Sequence, residues 1–189
     1  MAHVQSEPMV TDLSWGAPLT EDDLARMPDD GHRYELIDGV LIVSPSPRLS
    51  HQVCVGNLHL LLHAAKAPGD TVLMAPFDVR LSALTVVIPD LLVARTAAFT
   101  PARLETAPLL VVEVRSPSTR LFDLGTKRLA YEGAGVPAYW IVDPDAPSLT
   151  VLRLHDGHYI EEASVTGGET YAGTFPFPVT VVPAALLES

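Results

Sequence analysis

VVIPDLLVA, Val86–Ala94, and LLVVEV, Leu109–Val114, are dense in valine, leucine and isoleucine. Apolar runs with so little polar alternation are expected of central strands buried on both faces of a sheet. Each run is interrupted by one carboxylate, Asp90 after Pro89 in the first and Glu113 in the second. A charge embedded there is costly unless it is paired, protonated or bound to a metal. Taken singly, each reads more simply as a carboxylate that ends its strand at solvent or at a basic partner. Taken together they favour a shared cation, because two neighbouring carboxylates repel and raise one another's pKa. Hard ions such as Mg²⁺ suit one or two carboxylates completed by phosphate and water.

Outward from these strands the pattern is mixed α/β. Upstream, RYELI-DG-VLIV (Arg33–Val43) is two apolar runs joined by Asp38-Gly39, a strong hairpin signal. Before it, Thr20 followed by Asp23 predicts an N-cap and a short helix through Arg26. Between the hairpin and the deciding strands, Val53, Leu58, Leu61, Leu62 and Ala65 recur at helical intervals. They predict an amphipathic helix from about Ser50, its cap, to Lys66, ended by Pro68-Gly69. Thr71–Ala75 and Phe77–Leu81 read as further strands. Downstream, a helix is expected over about Leu121–Gly133, then AYWIVD (Ala138–Asp143) as a buried strand. LTVLRL and GHYIEEA then suggest a β-meander packed on the sheet edge. With no repeat or linker in view, residues 1–18 read as an arm and 19–189 as one domain.

The 189 residues can bury a real core without disulfides, and Cys54, the single cysteine, reads as part of that core. MAHVQSEPMVTDLSWGAPLT lacks the basic and apolar regions of a secretory leader, and no run is long enough to cross a bilayer. A soluble, cytoplasmic protein is the expectation, with no membrane partner. The net charge of −11 counts against non-specific nucleic-acid binding, which depends on cations displacing counterions from phosphate. An enzyme acting on DNA with this charge must gather its lysines and arginines locally or use metal ions. No GxSxG elbow, P-loop, GxGxxG or paired-cysteine zinc motif is present.

The ordered segments YELIDGVLIVSPSP, SHQ, IPDLLVAR and VVEVRSPSTRLFDLGTKRLAYEGAGVPAYWIVDP resemble the Uma-two family of restriction-endonuclease-type proteins, within the PD-(D/E)XK nuclease superfamily. The likeness runs from about Leu19 to Leu154. A bare Pro-Asp carries no information, whereas the EV-x-SPST…D…K…Y…GV-x-YW-x-VDP block agrees at many spaced positions. The resemblance implies a restriction-endonuclease-like mixed central β-sheet flanked by helices, with the meander at the C-terminal end. It implies Asp90 and Glu113 as metal ligands, joined by the carbonyl of Val114. Glu35 resembles the acidic residue of the N-terminal element, and Lys127 the basic residue of the following helix.

One position departs from the superfamily pattern. Two residues after Glu113, where lysine is usual, stands Arg115, which stays protonated and cannot act as a general base near neutral pH. Either Lys127 reaches the site from its helix, or Arg115 clamps phosphate while metal alone activates water. Arg115 reads equally as a salt-bridging residue. His51, in the first turn of its helix, is placed to approach phosphate or a site water, or simply ends the helix. His59 and His63 have a zinc-compatible spacing, yet nothing nearby completes a ligand set. Asp38 reads as a turn former, Tyr139 and Trp140 as core aromatics, and Asp143-Pro144 as a strand end.

The expected activity is hydrolysis of DNA phosphodiesters with Mg²⁺ or Mn²⁺, by a homodimer suited to cutting antiparallel strands. The alternatives are a non-catalytic binding module that kept the fold, and a hydrolase of RNA or nucleotide phosphate esters.

Overall fold

The computed structural model describes residues 16–44, 46–116 and 123–188. The arm up to Trp15, the Pro117–Arg120 part of the SPST block and the first residues of the expected Leu121–Gly133 helix lie outside them.

Thr20 and Asp23 form the anticipated capping box, with the Thr20 amide and hydroxyl both donating to Asp23 Oδ2, and open the single turn α1 (Glu21–Leu24). The hairpin follows as β1 (Arg33–Ile37) and β2 (Val40–Ser44), paired antiparallel from Ile37↔Val40 outward. Asp38 and Gly39 turn it with positive φ at 50° and 77°, the primed turn that matches strand twist. The long helix α2 spans Leu49–Ala65. Its N-cap is Arg48, not Ser50, so no side chain caps it. Its apolar face buries Cys54, Val55, Leu58 and Leu62.

β3 (Asp70–Met74) and β4 (Asp78–Ser82) occupy the two expected strands. Val86–Ala94, expected as one strand, is two. Thr85–Val87 is β5 in one sheet and Leu91–Arg95 is β6 in another. Pro89 between them has no N–H to donate to a ladder, so the chain changes sheets there. Asp90 thus stands at the crossing and not inside a continuous strand. β7 (Arg103–Leu104), β8 (Leu110–Val114), α3 (Arg128–Gly133) and β9 (Ala138–Asp143) follow. A wider turn over Asp123–Lys127 leads into α3. β10 (Ser148–His155) and β11 (His158–Thr166) form the meander, then β12 (Tyr171–Gly173) and β13 (Val179–Val181) a small hairpin.

The central six-stranded sheet has the order β11-β10-β9-β8-β6-β3, and the meander extends it at one edge. β8 and β9 are parallel, as the crossover through α3 requires, while the other pairs are antiparallel. Alternate residues of β6, β8 and β9 enter two separate cores. Leu91, Val93, Leu110, Val112, Ala138 and Trp140 pack with α2 and the β12–β13 hairpin. Leu92, Ala94, Val111, Tyr139 and Ile141 pack with Tyr131 of α3 and with residues of a five-stranded sheet, ordered β2-β1-β5-β4-β7. Burial on both faces is why these strands read as nearly unbroken apolar runs. The second sheet was not anticipated; its strands are short, and only β5 among them is buried throughout. Cys54, Tyr139 and Trp140 are core residues, as expected.

A candidate metal-carboxylate centre

The site forms where the two sheets exchange a chain. β6 runs antiparallel to β8 with Leu91 opposite Val112, so the register extended by one residue sets Asp90 opposite Glu113. Glu113 shares the pleat face of Val111, which points toward Tyr131. From the other sheet, β1 brings Glu35 to the end of β5, where its Oε1 accepts the Ile88 N–H at 2.7 Å. Lys127, at the entry to α3, places Nζ 2.9 Å from Glu35 Oε1 and 3.1 Å from Glu113 Oε1. Glu35, Glu113 and Lys127, each nine-tenths or more buried, therefore meet in one place, with the buried Asp90 opposite Glu113 in register.

Asp90 is held from three directions. Arg33 Nη1 donates to Oδ1 at 3.0 Å, while Oδ2 accepts the Val114 N–H at 2.9 Å and faces His51 Nε2 at 3.1 Å. Burial pushes this carboxyl up. The His51 hydrogen bond and charge, with the charges of Arg33 and Lys127, outweigh it and hold Asp90 down at about 2. An ionised Asp90 only accepts, so His51 carries a proton on Nε2. Tyr131 donates its hydroxyl to Glu113 Oε1 at 2.6 Å, and burial followed by the Glu113 charge pushes its phenol well up, so it stays a donor.

Glu35, Asp90, Glu113, Lys127 and His51 are thus brought together from positions scattered over 93 residues of sequence. Val114 reaches the site through its amide. Arg115 does not join it: Nη1 pairs with Asp143 Oδ2 at 3.0 Å, which ties the end of β8 to the end of β9. Asp143 Oδ1 also accepts the amides of Asp145 and Ala146, the turn role expected of it. His59 is half-buried and His63 exposed, with their rings 5.7 Å apart. Among the described residues no three histidine, cysteine or acidic side chains are gathered as a metal cluster.

Two members were not singled out from sequence, Arg33 and Tyr131. Both had a signal. Arg33 lies two residues before Glu35 and so on the same face of β1, and Tyr131 lies four after Lys127, on the same helical side.

The donor chemistry fits a hard divalent ion. It is all-oxygen, with Asp90, just before β6, opposite Glu113 of β8, and Glu35 joined to Glu113 through Lys127. The ligand set would not suit a structural zinc site, which takes cysteine and histidine.

The Uma2 family model, described as "Putative restriction endonuclease", matches residues 21–184. The chain belongs to the Uma2 family. No curated protein matches this Uma2 chain. Among solved structures it is similar to a "putative nuclease belonging to DUF820" from Anabaena variabilis. The TM-score is 0.69 and the identity 17%, over 90% of this chain and 98% of that one. At that identity the likeness establishes the fold, a mixed α/β nuclease fold, and the family assigns the Uma2 protein to the nucleases. Restriction-endonuclease-like enzymes generally use divalent metal ions. No helix among the described residues is long and apolar enough to cross a membrane.

Proposed function

We propose that this Uma2 protein is a metal-dependent endonuclease that hydrolyses phosphodiester bonds of DNA. The observation that carries the reading is the buried pair Asp90, just before β6, and Glu113 of β8, with Lys127 and Glu35 packed against Glu113. Asp90, Glu113 and the carbonyl of Val114 would hold Mg²⁺ or Mn²⁺. Bound there, the ion supplies Lewis acidity toward a phosphoryl oxygen and lowers the pKa of water.

The chain's own residues have separable parts. Arg33, His51 and the Val114 amide keep Asp90 ionised and fix its orientation. Tyr131 fixes the orientation of Glu113 by donating to Oε1. Lys127 donates to Glu35 and Glu113 together. That placement suits it to neutralise charge developing on the phosphate and to orient the attacking water. Glu35 holds Lys127 in place and ties β5 to the centre through Ile88. Arg115, occupied by Asp143, supports the β8–β9 junction and is a weaker candidate for gripping substrate than its motif position implied. A homodimer and a cytoplasmic site of action complete the proposal.

A second reading has one observation in its favour. Every carboxylate of the centre already has cationic partners, so the cluster is also a self-consistent structural one, as a non-catalytic binding protein would need. Cleavage of supercoiled plasmid with Mn²⁺ and with Mg²⁺ separates the two. Wild type is expected to nick it, and Asp90→Ala, Glu113→Ala and Lys127→Ala to lose on the order of a hundredfold or more. Folded wild type that neither cleaves nor binds either ion in titration would establish the binding-protein reading instead.

A further inference from the structure

We propose that the cavity at the N-terminus of α2, which adjoins the carboxylate centre and shares Arg33, His51 and Asp90 with it, is a subsite for a single phosphate group of the substrate. The inference rests on the nuclease reading for its biological substrate, but not for the binding it asserts.

The hollow measures about 160 Å³ and is lined in part by Arg33, Ser44, Ser46, His51, Gln52 and Asp90. That is well under the ~300 Å³ of a small-molecule pocket, and suits a group of phosphate size. Three features make its electrostatics favour an anion. First, α2 is 17 residues long, has no acidic residue in its first turn and no side chain capping it. Its first helical hydrogen bond runs from the Gln52 amide to the Arg48 carbonyl, so the amides of Leu49, Ser50 and His51 precede the ladder. Second, Arg33 is about one-quarter exposed while only Nη1 reaches Asp90, which leaves the rest of its fork for a second acceptor. Third, His51 is nine-tenths buried and lines the hollow, and its Nδ1 has no hydrogen-bond partner among the described residues. A buried ring nitrogen without a partner points to an occupant that supplies one. A phosphate accepts from it when the ring is an imidazolium, and a phosphate-bound water donates to it when the ring is neutral.

Among the described residues Asp90 is the one carboxylate lining the hollow, and it opposes an anion. Arg33, His51 and the Val114 amide already balance it. Gln52 is an exposed side chain at the same hollow, so its charge can be changed without burdening the core.

The experiment is calorimetric titration with inorganic phosphate in chelator, at constant ionic strength, on the full chain. Wild type is expected to bind saturably. Gln52→Glu and Arg33→Gln should weaken binding tenfold or more. Asp90→Asn should bind more tightly than wild type, a sign that general loss of packing does not produce. No saturable binding by wild type, equal binding by Gln52→Glu, or weaker binding by Asp90→Asn overturns the assignment. Plasmid cleavage read in parallel keeps the two claims apart. Cleavage without phosphate binding removes the subsite alone, and phosphate binding without metal-dependent cleavage removes the nuclease reading alone.

Discussion

Asp90 carries three partners at once, and its acidity follows from them: burial opposes its charge, and His51, Arg33 and Lys127 more than restore it. A carboxyl held below its ordinary 3.8 at about 2 contributes stability that is fully present above pH ~4 and is lost as the pH falls toward 2. The difference is worth about 2 kcal/mol. Urea unfolding at pH 6 and at pH 2.5 should therefore show wild type losing about that much more stability than Asp90→Asn. Equal losses would mean that another group carries the acid sensitivity. At this scale the sequence was informative about the acidic residues and named Lys127 and His51 beside them, but did not single out Arg33 or Tyr131. A carboxylate inside an apolar run is conspicuous because it violates a pattern. Arg33 and Tyr131 violate none: an arginine opening an amphipathic strand and a tyrosine on a helix are ordinary. Their partners lie 57 and 18 residues away, and only the packed sheets bring them together.

The hairpin β1–β2 is the element that carries both Arg33 and Glu35, so its turn indirectly sets the centre. Gly39 has φ 77°, and its amide donates to the Leu84 carbonyl while its own carbonyl accepts from Leu19. A Cβ at that position would stand 2.5 Å from Pro18 Cβ and 2.9 Å from its Cα, the latter backbone that cannot step aside. Gly39→Ala thus combines a left-handed backbone with a clash, and is expected to destabilise the fold by about 2 kcal/mol or more. Thermal unfolding should register it, and cleavage should fall with the folded fraction. An unchanged midpoint would show that the Pro18 segment yields freely. Local chemistry made this hairpin, the capping box and α2 readable, because each is written within a few residues. The break at Pro89 was written there too. The valine and leucine on either side outweighed it, since hydrophobic periodicity cannot distinguish one buried strand from two that serve different sheets. The five-stranded sheet was missed for a related reason: its pairing of β1 with β5 and β4 with β7 joins distant segments.

Charge is the property of the whole molecule that bears hardest on a DNA substrate. Of twelve lysines and arginines, Arg26, Arg33, Arg80, Arg95, Arg103, Arg115, Arg153 and Lys127 are each paired with a carboxylate. Against 23 acidic residues this leaves little cationic surface to displace counterions along a duplex. Arg48, exposed at the N-cap of α2, is one of the few with no carboxylate partner among the described residues, and it stands next to the proposed phosphate subsite. Binding should then rest on about two phosphate contacts, giving a slope of log affinity against log salt near −1.8. Raising salt from ~50 to ~200 mM should weaken binding of a short duplex only about tenfold, against ~10³-fold or more for a protein making six contacts. Measured in Ca²⁺ to hold cleavage back, a loss beyond a hundredfold would mean that a basic track is assembled from surfaces outside this centre, as pairing of two protomers would create. A shallow slope would instead locate the grip on DNA at the carboxylate centre and the α2 N-terminus, where Arg48 is exposed.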